Sequence, residues 1–510
     1  MNSSNQLKAG ALLSYVNMAI STIIPLLYTP VMLRILGQAE YGLYSLSNSV
    51  ISYLSLLTMG LGSTIHRYLM QSLTANDKQM LEKTTGLFVV IYAVIAGATL
   101  LIGSGMTAFT GLFFAKGLTP AEIEKLNILI VIMTVSAAVS LLAVPFGSVI
   151  VCYERYVFQK VLFIIMTIAL PLLNIAVLYA GMATVGMALV SVALQLVMLA
   201  VNIWYFIRKL GLSFRFRGLP WHLLREIFTF TFFVFIAMIA DLLYWATDKV
   251  LIGALVGSTA VAVYNVGATF NSMLNQLSSA ISGVFGPRIN KLVFSHSPMG
   301  EISELLIRVG RIQYLVVSLA LSGFIVFGRA FVLLWAGPEY EEAYYVALLT
   351  LIPLSVPMLQ NIAYNTIVAM NKHRFRSILY IVLAVMNVVG TYLLIPYMGI
   401  TGAALCTFVV YIIGHGTIMN WFYYRKIGLD IPGFWNNIIR LTAVPGVMAA
   451  VCLLIQRSGM EIENIYMLAG GILVYTAVFC LLSWLFSMNG YEKKLVWSMI
   501  SKVIPRRHGN

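Results

Sequence analysis

Charged side chains are scarce in this 510-residue chain. They make up 10% of the residues, whereas hydrophobic residues make up 60%. Soluble globular proteins carry about 25% charged residues. A chain this apolar cannot cover a water-exposed surface with polar groups. The composition therefore excludes a soluble globular protein and predicts that lipid surrounds most of the fold.

Cysteine is also rare, and the common catalytic motifs are missing. The four cysteines (Cys152, Cys406, Cys452 and Cys480) lie far apart in or beside apolar runs, and no pair has the spacing of a metal site. No Walker A, HExxH or GxSxG sequence occurs. We therefore predict no catalytic residues, no metal site and a protein that is not an enzyme.

Acidic residues are outnumbered by basic ones, 18 to 32. In a soluble protein this excess would suggest nucleic acid, but here the basic residues lie in short gaps between apolar runs, where membrane topology explains them. We predict no nucleic-acid binding. With both termini in the cytoplasm, most basic residues fall on the cytoplasmic side. The exceptions are Arg34, Lys116, Lys125, Lys249, Arg329 and Arg457.

Uncharged apolar runs predict an all-α polytopic membrane protein of about fourteen transmembrane helices, each needing about 20 residues. Two of the runs are long enough for two helices, with breaks near Gly181 and between Pro396 and Gly399. The runs lie near residues 9–33, 41–66, 84–115, 126–153, 161–207, 226–254, 261–285, 312–335, 344–369, 377–424, 435–455 and 464–487.

A weak internal repeat suggests two parallel six-helix lobes related by a pseudo-twofold axis, followed by two C-terminal helices. At an offset of 220 residues, Gly37 matches Gly257 and Tyr44 matches Tyr264, and residues 184–189 resemble residues 400–405. The predicted divisions are an N-lobe at 1–210, a C-lobe at 211–430, spans 13 and 14 at 431–490 and a basic cytoplasmic tail at 491–510. Chance similarity remains the alternative, because glycine and aromatic residues recur at helix ends.

Ionisable residues inside predicted span 7 are the first candidates for a site, since charges in hydrocarbon are costly. Asp241, Trp245 and Asp248 have the spacing of one helix face, and Lys249 lies at its edge. In the functional interpretation, Lys249 contacts phosphate and an aspartate couples to a cation, Na⁺ or H⁺. In the structural interpretation, Asp241 pairs with a polar neighbour, while Asp248 and Lys249 reach water at the membrane surface.

Six further residues are candidates for lining a cavity. The two arginines cap spans 1 and 2; phosphate contact or gating is one interpretation, and anchoring at the membrane boundary is the favoured one. The four amides form two same-face pairs in spans 8 and 10, where they would bind glycan or join helices. These residues are Arg34, Arg67, Asn271, Asn275, Asn361 and Asn365.

The sequence resembles the Wzx-type oligosaccharide flippases of the MOP (multidrug/oligosaccharidyl-lipid/polysaccharide) exporter superfamily. The likeness covers the whole chain, and the order of its motifs is more specific than any one of them. The matching residues are Pro30, Arg34, Leu36, Gly37, Glu40, Tyr41, Gly42, Tyr44, Gly60, Leu61, Gly62, Arg67, Asp248, Lys249, Gly253, Gly257, Tyr264, Pro287, Arg288, Leu334, Trp335 and Gly337.

The resemblance implies a function at the inner membrane. Members of the family move undecaprenyl-pyrophosphate-linked oligosaccharides from the inner to the outer leaflet for cell-surface polysaccharide biosynthesis, and two lobes would supply alternating access. The implied partners are the lipid-linked glycan, membrane lipids and polysaccharide assembly proteins, with no cofactor beyond a coupling Na⁺ or H⁺.

Three alternatives remain from the sequence: a lipid II flippase, a multidrug/cation antiporter of the same superfamily, and a polytopic glycosyltransferase or polymerase. Span 1 contains no acid, which disfavours the antiporter. The basic tail would either lie on the anionic inner leaflet or form a frayed end.

Overall fold

The computed structural model describes residues 3–75, 77–458 and 462–503, and in these ranges the regular elements are helices with no strand. The predicted all-α membrane fold is confirmed. In chain order the helices are α1 (Ser3–Ser52), α2 (Leu61–Thr74), α3 (Lys78–Phe114), α4 (Pro120–Cys152), α5 (Tyr156–Tyr179), α6 (Ala183–Trp204), α7 (His222–Trp245), α8 (Thr247–Leu255), α9 (Ser258–Gly283), α10 (Gly286–Phe294), α11 (Met299–Trp335), α12 (Glu342–Leu359), α13 (Asn361–Ala369), α14 (Arg374–Tyr411), α15 (Asn420–Phe422), α16 (Ile431–Leu441), α17 (Ala443–Arg457), α18 (Ile465–Leu482) and α19 (Gly490–Val503).

Ten helical stretches are long and apolar enough to cross a membrane. Two of them contain a glycine with positive φ, so each holds two crossings: Gly37 (φ 75°) interrupts α1 and Gly399 (φ 56°) interrupts α14. Glycine adopts this backbone conformation without a steric penalty because it lacks a Cβ. Gly181 (φ 79°) lies between α5 and α6. Both breaks predicted inside the double-length runs are confirmed.

Spans 7 and 8 are not among these ten stretches. The seventh consists of α7 and the short α8, with the interruption at Ala246, and the eighth is α9, which has 26 residues. With these two, the ten stretches account for the predicted fourteen crossings. Short 3-10 or π segments lie beside several helices, at Tyr53–Thr58, Tyr205–Lys209, Pro338–Tyr340, Ile412–Met419, Tyr423–Ile427 and Ser483–Ser487.

The first of two compact units comprises the chain up to Asn265 together with Tyr380–Ala403. Within it α3 packs along α4, α4 along α6, and α1 against α5. Aromatic rings from three of its helices, among them Phe88, Phe146 and Phe206, form a fully buried cluster. Close packing of such rings stabilises the places where membrane helices meet.

The second unit comprises Val266–Leu379 and the chain from Ala404 onward. Its central helix is α11, which packs against α12, α16, α17 and α18. Phe327 of α11 meets Tyr475 of α18 edge to face, with ring centroids 5.6 Å apart. The lobe boundaries at residues 210 and 430 rest on the sequence repeat and stay a prediction.

Gly42 of α1 lies directly against the backbone at the start of α9. A Cβ at this position would come within 1.8 Å of the Ser258 carbonyl oxygen, a distance that no real contact tolerates. The hydroxyl of Ser258 in turn donates to Oε1 of Glu122, 2.5 Å away. Glycine is therefore required here by close packing and not by its backbone angles.

The variant Gly42→Ala is expected to lose about 1–3 kcal/mol in free energy of unfolding, because the backbone must shift to admit the methyl group. It should therefore unfold at a lower temperature than the wild type. Thermal unfolding of the purified protein in detergent measures this. Gly97→Ala in α3 is the matched control, since nothing lies within 4 Å of its Cβ position. Equal unfolding midpoints for the two variants would show that the contact with Ser258 is not a constraint.

Candidate functional site

Polar residues of the first unit meet where α7 gives way to α8. Ala246 separates the two helices, and α8 starts at Thr247. The Thr247 hydroxyl lies 2.6 Å from the hydroxyl of Tyr53. Discontinuous membrane helices expose backbone and side-chain polar groups, and in transporters they commonly form binding sites. The two residues that follow, Asp248 and Lys249, belong to this junction.

Asp248 is almost completely buried, with 3% of its surface exposed. Its Oδ1 accepts hydrogen bonds from Asn387 Nδ2 at 3.1 Å and Thr391 Oγ1 at 3.3 Å. Its Oδ2 accepts one from Tyr264 Oη at 2.7 Å. Three donors offset the cost of removing the carboxylate from water. One interpretation of the sequence was that Asp248 reaches water at the end of its helix. Its burial contradicts that interpretation.

Lys249 points to a different set of partners. Its ammonium donates to Oδ1 of Asn265 at 2.5 Å, and Nδ2 of Asn265 donates to the Tyr41 hydroxyl, also at 2.5 Å. The ion pairs found within the described ranges do not include Lys249. An ammonium has three protons to donate. An amide and not a carboxylate holds the ammonium, and the carboxylate of the preceding residue, Asp248, acts on its charge through space and not through a bond.

Sequence reasoning missed most of the residues around this pair. Tyr41 and Tyr264 matched a family motif but had no assigned role, and Asn265 was only one of several amides in span 8. Asn387 and Thr391 were not singled out at all. Their i, i+4 spacing in an otherwise apolar helix places both on one face, and this signal was available in the sequence.

Four of the predicted site residues have roles that stay predictions. Asp241 and Trp245 lie in α7, but their side chains are outside the described part of the chain. Their predicted shared face with Asp248 stays a prediction. Arg34 and Arg67 are exposed residues of α1 and α2, and their roles in anchoring or phosphate contact stay predictions.

Two of the predicted amides in the second unit join helices. Asn271 is buried, and its Oδ1 accepts a hydrogen bond from Thr350 Oγ1 of α12 at 3.1 Å. Asn361 Nδ2 donates to Ser282 Oγ of α9 at 3.3 Å. Hydrogen bonds of this kind hold membrane helices together. The geometry favours a packing role for these two residues.

The other two amides are more accessible. Asn275 is exposed, and its recorded partner is Ser279 Oγ of the same helix at 3.2 Å. Asn365 is partly exposed. These two remain the better candidates for contact with a glycan. The described part of the chain contains no group of three or more His, Cys, Asp or Glu residues that could hold a metal ion.

Glu40, a residue of the matched motif, joins three helices of the first unit. Its Oε1 pairs with Lys125 of α4, and its Oε2 accepts a hydrogen bond from Thr184 Oγ1 of α6 at 2.8 Å. The glutamate of this motif therefore has a structural role, because its carboxylate fixes the end of one span against the starts of two others.

The sequence model of the family described as "Polysaccharide biosynthesis protein" matches residues 7–293, more than half of the chain. The chain belongs to this family. The chain is also similar to the "Uncharacterized membrane protein EpsK" of Bacillus subtilis (strain 168). The two are 22% identical over 443 residues, which is 84% of this chain and 85% of the relative.

Several solved structures share the fold of this chain. The lipid II flippase MurJ in an inward closed conformation superimposes with a TM-score of 0.73 at 13% identity, covering 94% of this chain and 98% of that one. An inward-facing multidrug resistance MATE family transporter of the MOP superfamily gives a TM-score of 0.62 at 14% identity, covering 83% and 99%. The fold that the resemblance to the MOP superfamily implied is confirmed.

Proposed function

We propose that this protein is a flippase that moves a polyprenyl-pyrophosphate-linked oligosaccharide from the inner to the outer leaflet of the cytoplasmic membrane. Two helical lobes would give alternating access, and both termini would lie in the cytoplasm. The observation that carries the proposal is the amide-held ammonium of Lys249 inside an apolar span. In a polysaccharide biosynthesis protein, the anion that such a group would meet is the pyrophosphate of a lipid-linked glycan.

The physical problem of such a flippase is the headgroup. The polyprenyl tail can stay in lipid, but the pyrophosphate and the sugar hydroxyls cannot enter hydrocarbon without replacement of their hydration. A cation with free donor capacity compensates the phosphate charge, and charge-assisted hydrogen bonds of this type are about twice as strong as neutral ones. Lys249 offers the charge, while Asn265 and Tyr41 offer neutral groups beside it.

Asp248 is the proposed residue for coupling to a cation. The hydroxyl oxygens of Tyr264 and Thr391 lie beside its carboxylate, and Asn387, which now donates from Nδ2, would offer its Oδ1 only after its amide turned over. Oxygen ligands are what Na⁺ requires, and a buried carboxylate is equally able to take up a proton. Either ion would replace the donated hydrogen bonds and change how α8 is held. No ATP-binding motif supplies another energy source.

Deletion of the gene in its host tests the transport step. We expect loss of surface polysaccharide and accumulation of lipid-linked oligosaccharide that a membrane-impermeant glycosidase cannot reach in spheroplasts, because the glycan stays on the inner leaflet. Mass spectrometry of extracted lipids before and after glycosidase treatment gives the two leaflet pools. Expression of the wild-type chain should restore the cleavable pool.

The same experiment separates the alternatives. A lipid II flippase, whose fold this chain shares, would instead cause accumulation of the peptidoglycan precursor and cell lysis on deletion. A multidrug antiporter would leave the polysaccharide intact and raise sensitivity to cationic drugs. Accumulated oligosaccharide that is fully cleavable from outside would contradict the proposal, since the flip would then occur without this protein.

A further inference from the structure

The C-terminal helix α19 is fixed to the second unit by a buried ion pair. Arg311 of α11 donates from Nε to Glu492 Oε1 at 2.6 Å and from Nη2 to Oε2 at 3.0 Å. Nη2 also donates to the Ser487 carbonyl oxygen at 3.0 Å, just before α19 begins. Glu492 is 3% exposed. A bidentate pair of this kind is geometrically specific, so the start of α19 has one defined position.

A reciprocal cap holds the same turn. The Asn489 backbone N–H donates to Glu492 Oε2 at 2.8 Å, and the Glu492 N–H donates to Asn489 Oδ1 at 2.9 Å. Such a pair satisfies two backbone donors that a helix start otherwise leaves open. The segment at 490–503 is therefore a docked helix and not a frayed basic end.

The docked helix forms one wall of a pocket of about 720 Å³. Lys493 Nζ lies 5.8 Å from the centroid of the Trp484 ring. Lys494, Ser498 and Ser501 have the spacing of a single helix face, and Trp497 beside them is 66% exposed. The lining residues are Trp484, Lys493, Lys494, Trp497, Ser498 and Ser501.

We propose that this pocket binds the headgroup of an anionic phospholipid. Two ammonium groups offer charge and hydrogen bonds to one phosphodiester. The hydroxyls of Ser498 and Ser501, which donate to the carbonyl oxygens of Leu495 and Ser498, add polar lining beside them. The pocket follows the apolar stretch Ile465–Ser487, which is long enough to cross the membrane, so it lies at the level of lipid headgroups. Tryptophan is enriched at that level because its ring is apolar and its N–H is polar.

Apolar side chains next to the pocket favour a lipid over an acidic protein or a free anion. Leu485 is 57% exposed and Phe486 is 77% exposed, immediately beside Trp484. These side chains would contact acyl chains while the lysines contact the headgroup. The site thus offers cations for the phosphate and exposed apolar side chains for the acyl chains of one phospholipid.

Native mass spectrometry of the full-length protein, titrated with phosphatidylglycerol or phosphatidylcholine in detergent, tests the proposal. Each lysine near an anionic lipid contributes a factor of about five in affinity. We therefore expect Lys493→Gln/Lys494→Gln to lose about 25-fold in phosphatidylglycerol affinity, with phosphatidylcholine binding unchanged. Trp497→Ala keeps both charges and should also weaken phosphatidylglycerol binding.

The matched control is Arg425→Gln/Lys426→Gln, which removes two adjacent exposed cations from another helix end of the second unit. Its phosphatidylglycerol affinity should stay close to that of the wild type. If both double variants lost the same phosphatidylglycerol affinity, the loss would come from the lower net charge and not from this pocket, and the proposal would be overturned. Displacement of the lipid by millimolar inorganic phosphate would also overturn it, because the anion alone would then suffice.

Discussion

The variant Lys249→Gln is expected to lower polysaccharide export by about ten- to a hundred-fold at normal protein levels, the value of one hydrogen bond to a charged group. Glutamine keeps a donor for Asn265 but has no charge to offset the pyrophosphate. Surface polysaccharide per cell, quantified in the complemented deletion strain, measures the effect. Protein levels in the membrane must be compared in the same cells.

The control for this charge is Lys116→Gln, which removes an exposed lysine between α3 and α4 and should leave export unchanged. Lys249→Arg retains the charge but has a planar, bulkier head, so partial activity is expected. Full export by Lys249→Gln would falsify the assignment of Lys249 to the pyrophosphate. Loss of export in Lys116→Gln as well would point to a general effect on membrane charge.

The variant Glu492→Ala is expected to destabilise the second unit by about 3–5 kcal/mol, because it leaves the Arg311 guanidinium buried without its carboxylate. The side chains of the pair are 11% and 3% exposed, so water cannot replace the missing partner. The unfolding midpoint of the purified protein in detergent, followed by circular dichroism, measures this loss.

A matched ion pair lies one turn away on the same helix. Arg308 and Glu304 of α11 pair at 2.5 Å with side chains 32% and 69% exposed. Glu304→Ala should change stability by less than about 1 kcal/mol, because exposed pairs contribute little. The apolar double variant Arg311→Met/Glu492→Leu should recover much of the loss. If Glu304→Ala and Glu492→Ala shifted the midpoint equally, burial would not be what makes the Arg311 pair important.

Hydropathy and glycine were sufficient to predict the spans and the breaks inside the double-length runs. Long uncharged runs mark spans because lipid accepts few charges, and the interruptions near Gly181 and Gly399 were visible from run length alone. The helix breaks inside span 7, at Ala246, and at the end of span 10, at Gln360, were not predicted. Ala246 has no proline or glycine near it, so local sequence gives no signal for that break. The break at Gln360 follows Pro353 and Pro357, a local signal that was not used.

The partners of the site residues were less predictable than the residues themselves. Asp248 was identified because it is charged and lies in an apolar run, but Asn387 is 139 positions away. Contacts at that separation depend on how helices pack, which single-sequence periodicity does not encode. Glu492 was overlooked for the opposite reason: it is one acid in a basic segment, and only its burial against Arg311 shows its importance.

The register between α8 and α9 has a mechanical consequence. Two successive residues of α8, Asp248 and Lys249, bond to two successive residues of α9, Tyr264 and Asn265, each sixteen positions along the chain. A rotation or slide of one helix past the other breaks both bonds together. In the proposed mechanism, a phosphate that captures the ammonium and a cation that captures the carboxylate would both act on this one motion, and thermodynamic linkage would make each alter the affinity for the other by the same factor.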